Sequence, residues 1–282
     1  MTRDGQELVA LEQRQISHIW SVPQAQTAKA KQITFGEAAD TGVAAGPGGK
    51  LLVRGQASEV FLMNTDGSGR AMLLPELRNF NSMSSCADRY VVLDSFTEKK
   101  IDLLRADADG ANPAKLADEP FGSVCSPDGK WVLFGSATKN FRIPVENGTP
   151  AEVAGIPAGA SIQAISPDGK WIAYGFQEGS PVPVQKIGVV AAEGGIPVHM
   201  FPVPSGSRGL PWSPDGRGLQ FLLTRSGATN VWEQPVVGGA PRQVTSFTSG
   251  LIFGFCWLRD GKQMFLAKGE NSSDVILISN FR

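Results

Sequence analysis

The chain has 282 residues, with 26 Lys and Arg against 27 Asp and Glu and a formal net charge of −1. No basic block exceeds two residues in a row, so the electrostatic footprint that phosphate binding needs is missing and nucleic acid is excluded as an expected ligand. Gly (33) and Pro (19) are frequent and no helical period persists, which points to an all-β chain of short strands between turns.

The first ten residues, MTRDGQELVA, carry no secretory pattern, and no apolar run approaches the roughly 18 to 20 residues of a membrane span. No membrane contact by this chain is therefore expected. From there a turn and strand pattern recurs. SPDGK stands at 126–130 and 166–170, SPDGR at 213–217 and LRDGK at 258–262, with weaker copies in TRDGQ, GPGGK and CADRY. In register, Asp4, Gly48, Asp88, Asp128, Asp168, Asp215 and Asp260 are 44, 40, 40, 40, 47 and 45 residues apart. In a strand-rich chain that period is the signature of four-stranded propeller blades.

After each turn comes an apolar strand: ELVAL (7–11), KLLV (50–53), YVVL (90–93), WVLF (131–134), WIAY (171–174), LQFLL (219–223) and QMFLA (263–267). A second follows about ten residues later, as in HIWSV (18–22), IDLLR (101–105) and DVILIS (274–279), and a third after a polar hairpin, as in KQIT (31–34) and RQVT (242–245). Segments before the turns, such as LPW (210–212) and FGFCW (253–257), supply the innermost strand. The spacing predicts one β-propeller domain over 1–282, most simply of seven blades, with six as the alternative. The repeats fall near 1–43, 44–83, 84–123, 124–163, 164–209, 210–252 and 253–282. A seven-bladed ring lacks one outer and one inner strand at the seam, which suggests that roughly 15 to 20 upstream residues complete it.

SPDG itself reads as a corner. Pro presets φ, Asp accepts hydrogen bonds from nearby amides, and Gly takes the positive φ that redirects the chain. Periodic tryptophans beside these turns (Trp131, Trp171, Trp212, Trp257) and on the following strands (Trp20, Trp232) read as packing between blades.

Residues able to carry chemistry are few. The two histidines, His18 and His199, fall inside predicted strands. Cys86, Cys125 and Cys256 lack metal-ligand spacing and read as small buried residues. AAGPGGKL (44–51) has Ala44 where a phosphate loop needs Gly and Leu51 where it needs Ser or Thr. DADGAN (107–112) resembles a calcium loop, yet NTDGSG and VENGTP occupy the same slot in other repeats, so it reads as a hairpin. Asp118 and Glu119 read as a solvated pair. No catalytic residue, metal site or cofactor is predicted.

The SPDGKW unit, with downstream sequences such as NVWEQPVVGGAPRQVTSF (230–247), resembles the WD40-like repeats of TolB-type β-propellers over nearly the whole chain. The same repeats occur in propellers of prolyl-oligopeptidase-like enzymes, whose hydrolase domain is absent here. The ending SDVILISNFR (273–282) is similar to the C-termini of acidobacterial serine/threonine protein kinases with an extracytoplasmic propeller half. The kinase's own Gly-rich loop, HRD and DFG are not present.

The resemblance implies a non-catalytic module that binds a protein, peptide or small ligand, as the sensor part of such a kinase-like protein. It also implies an extracytoplasmic location. Alternatives are a TolB-like envelope interaction protein, a propeller enzyme, or the detached propeller of a hydrolase. The apolar, Gly and Ser character of the innermost strands disfavours channel catalysis. Contacts are expected on the variable loops opposite the SPDG turns or at the channel mouth. The candidates are Arg54, Lys99, Lys100, Lys139, Gln177, Glu178, Arg208, Arg225, Lys268 and Glu270, with the long loop FQEGSPVPVQ (176–185) ranked first.

Overall fold

The computed structural model describes residues 7–37, 39–76, 79–96, 100–120, 122–179 and 181–279. The TRDGQ turn, Lys99 and the last three residues lie outside the described residues. In chain order the strands are β1 (Glu7–Pro23), β2 (Lys31–Gln32), β3 (Asp40–Ala45), β4 (Leu51–Gly55), β5 (Val60–Met63), β6 (Ala71–Leu73), β7 (Phe80–Cys86), β8 (Tyr90–Phe96), β9 (Ile101–Asp107) and β10 (Ala114–Asp118). They continue with β11 (Ser123–Cys125), β12 (Trp131–Gly135), β13 (Asn140–Pro144), β14 (Ala151–Glu152), β15 (Ser161–Ile165), β16 (Trp171–Glu178), β17 (Val184–Ala191) and β18 (His199–Pro202). The last five are β19 (Gly218–Arg225), β20 (Ala228–Pro235), β21 (Arg242–Gln243), β22 (Leu251–Trp257) and β23 (Gln263–Ser279).

Blades I to IV are the sheets β3 to β6, β7 to β10, β11 to β14 and β15 to β18, each antiparallel and ordered outward from the axis. In blade V, residues 208–212 bridge onto β19 ahead of β20 and β21. Blade VI is ordered β22-β23-β1-β2.

The ring thus has six blades, the alternative count, and the seven predicted from spacing is corrected. ELVAL and HIWSV, expected as separate strands, run together as β1, and QMFLA and DVILIS run together as β23. These two pair without interruption from Glu7↔Ser279 to Pro23↔Gln263. Residues 12–17, EQRQIS, contain no Gly or Pro to turn the chain. Gly269, between the two expected strands QMFLA and DVILIS, permits close approach: a Cβ there would run into the Ile16 carbonyl oxygen. Because the N-terminal strands supply the outer half of blade VI, the gap at the seam disappears, and the strand count no longer argues for an upstream segment.

Second strands read as continuous apolar runs because each blade is covered on both faces. Leu51, Leu52 and Val53, consecutive in β4, are all 0% exposed. The apolar clusters lie between neighbouring blades, as where Leu133 and Trp131 of blade III meet Ile165, Ile172 and Val190 of blade IV. Each such aliphatic side chain contributes about 1.5 to 3 kcal/mol on burial. Outermost strands such as β14 and β21 are short and exposed.

The SPDG corner adds a device that the Pro, Asp and Gly reading leaves out, namely its serine. Asp128 accepts from the Ser126 hydroxyl at 2.6 Å and from the Lys130 amide at 3.1 Å, while Ser126 Oγ accepts from the Trp131 amide at 3.1 Å. Gly129 takes φ +71° and donates to the Ser126 carbonyl. Ser166 with Asp168, and Ser213 with Asp215, repeat the arrangement. The Ser126 and Ser166 hydroxyls hold the Asp128 and Asp168 carboxyls below the usual carboxylate range. Such groups add stability above the unfolded carboxylate pKa of about 3.9, and that stability is lost as pH falls through the lower folded value. Asp128→Ala with Asp168→Ala is therefore expected to lower the melting temperature at neutral pH and to leave it little changed near pH 2. Equal melting of both proteins at pH 7 would show that the carboxylates do not hold the corners.

Candidate functional site

The innermost strands of all six blades converge on the axis and enclose a cavity of about 510 Å³ at the SPDG end of the channel. Its rim includes Pro127, Pro167 and Pro214 of the repeated motif, and its walls include Trp212, Phe255 and Trp257. Of the tryptophans read as interblade packing, Trp212 and Trp257 thus also face the channel. Arg259 is the only charged side chain among the lining residues. The site is an apolar cup with a serine-bearing wall and a single cation at its mouth.

Two further features of the inner strands and their neighbours were not legible as sites. Cys86, ending β7, and Cys125, ending β11, are buried as expected, and they form a disulfide between blades II and III that the reading of them as small buried residues did not include. Their 39-residue separation is close to one repeat, so the period carries them to adjacent positions on neighbouring inner strands. Cys256 stays free on the same wall, and burial pushes its thiol up to about 12, so it is protonated at neutral pH.

The second feature is Asp94 on β8, which is 1% exposed. The Ser123 hydroxyl donates to its Oδ1 at 2.5 Å, and the Ser82 and Ser123 hydroxyls lie 3.0 Å apart. Its Oδ2 has no hydrogen-bond partner, and burial pushes the carboxyl up. The apolar run YVVL stops one residue short of it, and nothing in the repeat marks the position. With two hydroxyls and no imidazole or second acid, it forms a polar knot and no proton-transfer set.

The nine described candidates share the end of the ring opposite the SPDG turns and are spread over all six blades. Most of their charges are already engaged. Arg54 donates to Thr41 at 3.1 Å, Lys100 lies 3.3 Å from Asp102, Lys139 pairs with Glu152 at 2.6 Å, and Glu178 pairs with Lys186. Arg225 stacks over Trp232 at 4.4 Å. Within FQEGSPVPVQ, of which Ser180 lies outside the described residues, Gln177 is paired with Gln185 across the β16–β17 hairpin and Val182 is exposed. Lys268 and Glu270 line one groove, and Arg208 donates to the carbonyl of Ile252, the register partner of Lys268. Lys99 lies outside the described residues.

The tempting motifs resolve as turns. Asp109 accepts from the Ala111 amide and Asp107 from the Asn112 side chain, so the DADGAN carboxylates close a hairpin. Asp118 pairs with Lys115, and the Gly48 amide donates to Asp88 of the next blade. Among the described residues no three His, Cys, Asp or Glu side chains gather as a metal ion would need.

No family model matches the sequence, and no characterised protein matches it by sequence. Solved structures do match the fold. One from Agrobacterium tumefaciens assigned to TolB superimposes with a TM-score of 0.68 at 15% identity, covering 91% of this chain and 99% of that one. TolB from Acinetobacter baumannii gives 0.60 at 14% identity over 93% of this chain and 66% of its own. The fold is that of the TolB-type β-propeller. An oligogalacturonate lyase in complex with manganese also matches, at 0.58 and 14% identity, covering 86% of this chain and 80% of that one. The TolB-type fold is therefore shared with a protein named as an enzyme, and at these identities function must be argued from this chain's own sites.

Proposed function

We propose that this chain is a non-catalytic binding module that receives an extended, largely apolar protein segment at the SPDG-side mouth of its channel. The apolar 510 Å³ cavity built from all six blades carries this reading. Apolar walls with a few convergent polar groups suit recognition, and the same walls hold no base, nucleophile and orienting group in sequence for chemistry. The finer reading, a sensor propeller of a serine/threonine kinase-like protein, is supported by the resemblance of residues 273–282. The TolB-like envelope role is its alternative. The Cys86–Cys125 disulfide favours an oxidising, extracytoplasmic setting for either.

Ala45→Arg tests the reading, because Ala45 lines the cavity and a long cation there fills it. Panning a displayed peptide library against the folded protein is expected to enrich apolar sequences on the natural chain and none on the variant, with both melting at similar temperatures. No enrichment on the natural chain, or equal enrichment on both, would overturn the proposal.

A further inference from the structure

Blade VI extends past the ring. β22 pairs with β23 only over residues 264–269, and β2 pairs with β1 only at Trp20 and Ser21. Beyond Ser17 and Gly269 the two long strands pair with each other alone, over residues 7–16 and 270–279. At about 3.4 Å per residue this two-stranded ribbon reaches roughly 30 Å outward. A ribbon of two strands is marginal in water, and this one leaves Ile16 and Ile276 43% and 41% exposed. A further strand along one of its edges would complete it.

The β1 edge is open. Ile19 donates its amide to Thr34 Oγ1 and accepts from the Ile33 amide, both at 2.8 Å, so its backbone groups face away from β23. By strand alternation those of Gln15, Gln13 and Leu11 face the same way, and among the described residues nothing meets them there. Glu12 and Arg14 lie between them on one sheet face, both exposed and in no ion pair among the described residues. The β1 edge therefore carries both signs of charge two residues apart. The matching stretch of β23 holds Glu270 and Asp274 and no Lys or Arg, so two copies joined along that edge would set acid against acid or against neutral residues.

We propose that two copies of this chain pair antiparallel along residues 10–16 of β1, about a two-fold axis at Gln13. Gln13 then exchanges both backbone hydrogen bonds with its counterpart. Glu12 of each copy stands opposite Arg14 of the other in the closer, non-hydrogen-bonded type of pair, and no other register brings these two together. Ala10, the register partner of Ile276, meets Ile16 of the second copy, so a row of three apolar side chains crosses the interface. Two residues further out, Leu8 comes over the second copy's groove of about 280 Å³ beside the seam, which Ile16 and Trp20 line. The result is a four-stranded sheet ordered β23-β1-β1-β23, an isologous interface that removes one open edge from each copy.

Sedimentation equilibrium of the full chain over a concentration series tests this, and the natural chain is expected to show a reversible monomer to dimer equilibrium. Glu12→Arg sets Arg against Arg at both symmetry-related pairs, and Arg14→Glu sets acid against acid. Each variant alone is expected to dimerise at least tenfold more weakly, with an unchanged melting temperature because both positions are exposed. An equimolar mixture of the two variants is expected to recover the natural affinity as a heterodimer, since every pair is then Arg against Glu. A natural chain that stays monomeric, variants that dimerise as tightly as it does, or a mixture no tighter than either variant would each overturn the proposal. A monomer that sediments with phosphatidylcholine vesicles would overturn it too and give the apolar ribbon to lipid.

Discussion

Removing the Cys86–Cys125 bridge, by reduction or by Cys86→Ala with Cys125→Ala, is expected to lower the unfolding free energy by about 4 kcal/mol. The figure follows from the chain entropy that a closed loop of this length takes from the unfolded state. It is large because the bridge joins two blades across a full repeat and not two strands of one hairpin. The Cα atoms lie 5.3 Å apart, within the range a disulfide spans unaided. Denaturant unfolding with and without dithiothreitol checks the size, and alkylation of the native protein checks the pairing. A chain whose three thiols all react under non-reducing conditions, or whose midpoint is indifferent to reductant, would contradict the bridge.

Gly269→Val is expected to destabilise the ring by about 3 kcal/mol or more, because overpacking here meets backbone and no flexible side chain is available to yield. A Cβ at 269 collides with the Ile16 carbonyl and lies 2.5 Å from the Ser17 Cα. The two strands must part to admit it, and their pairing joins the two ends of the described chain to close the circle. Gly238→Val serves as a control, since a Cβ there meets nothing but its own strained φ of +96° in an exposed hairpin. Should Gly269→Val unfold at the same denaturant concentration as this control, β1 would not be docked on β23 as described.

Much of the fold was legible because it is local. The forty-residue period, the apolar second strands and the SPDG corners depend on residues within one blade, where turn chemistry and strand pattern act over a few positions. The blade count was not legible for the same reason. The register of turns invited TRDGQ and LRDGK to open separate blades, while the evidence for one blade lay in EQRQIS, a stretch without a turn former, and in Gly269 acting as a close-approach residue. The disulfide left a usable signal, since Cys86 and Cys125 fall one repeat apart, but position within the repeat matters only once neighbouring inner strands are known to touch. The loop face was legible as a surface, and the engagement of Lys139 and Glu178 in ion pairs was not, because their partners, Glu152 and Lys186, come from other strands.

What the sequence determined by itself is the unit: a four-stranded blade and its corner. What only the tertiary structure decided is the closure of six units into a ring, the cystine between two of them, the apolar cup on the axis and the groove at the seam. Each of these depends on pairs far apart in the chain, such as His18 with Lys268. Such pairs form because they satisfy strand edges and bury surface when the circle closes, and neither gain is written in the residues near each partner.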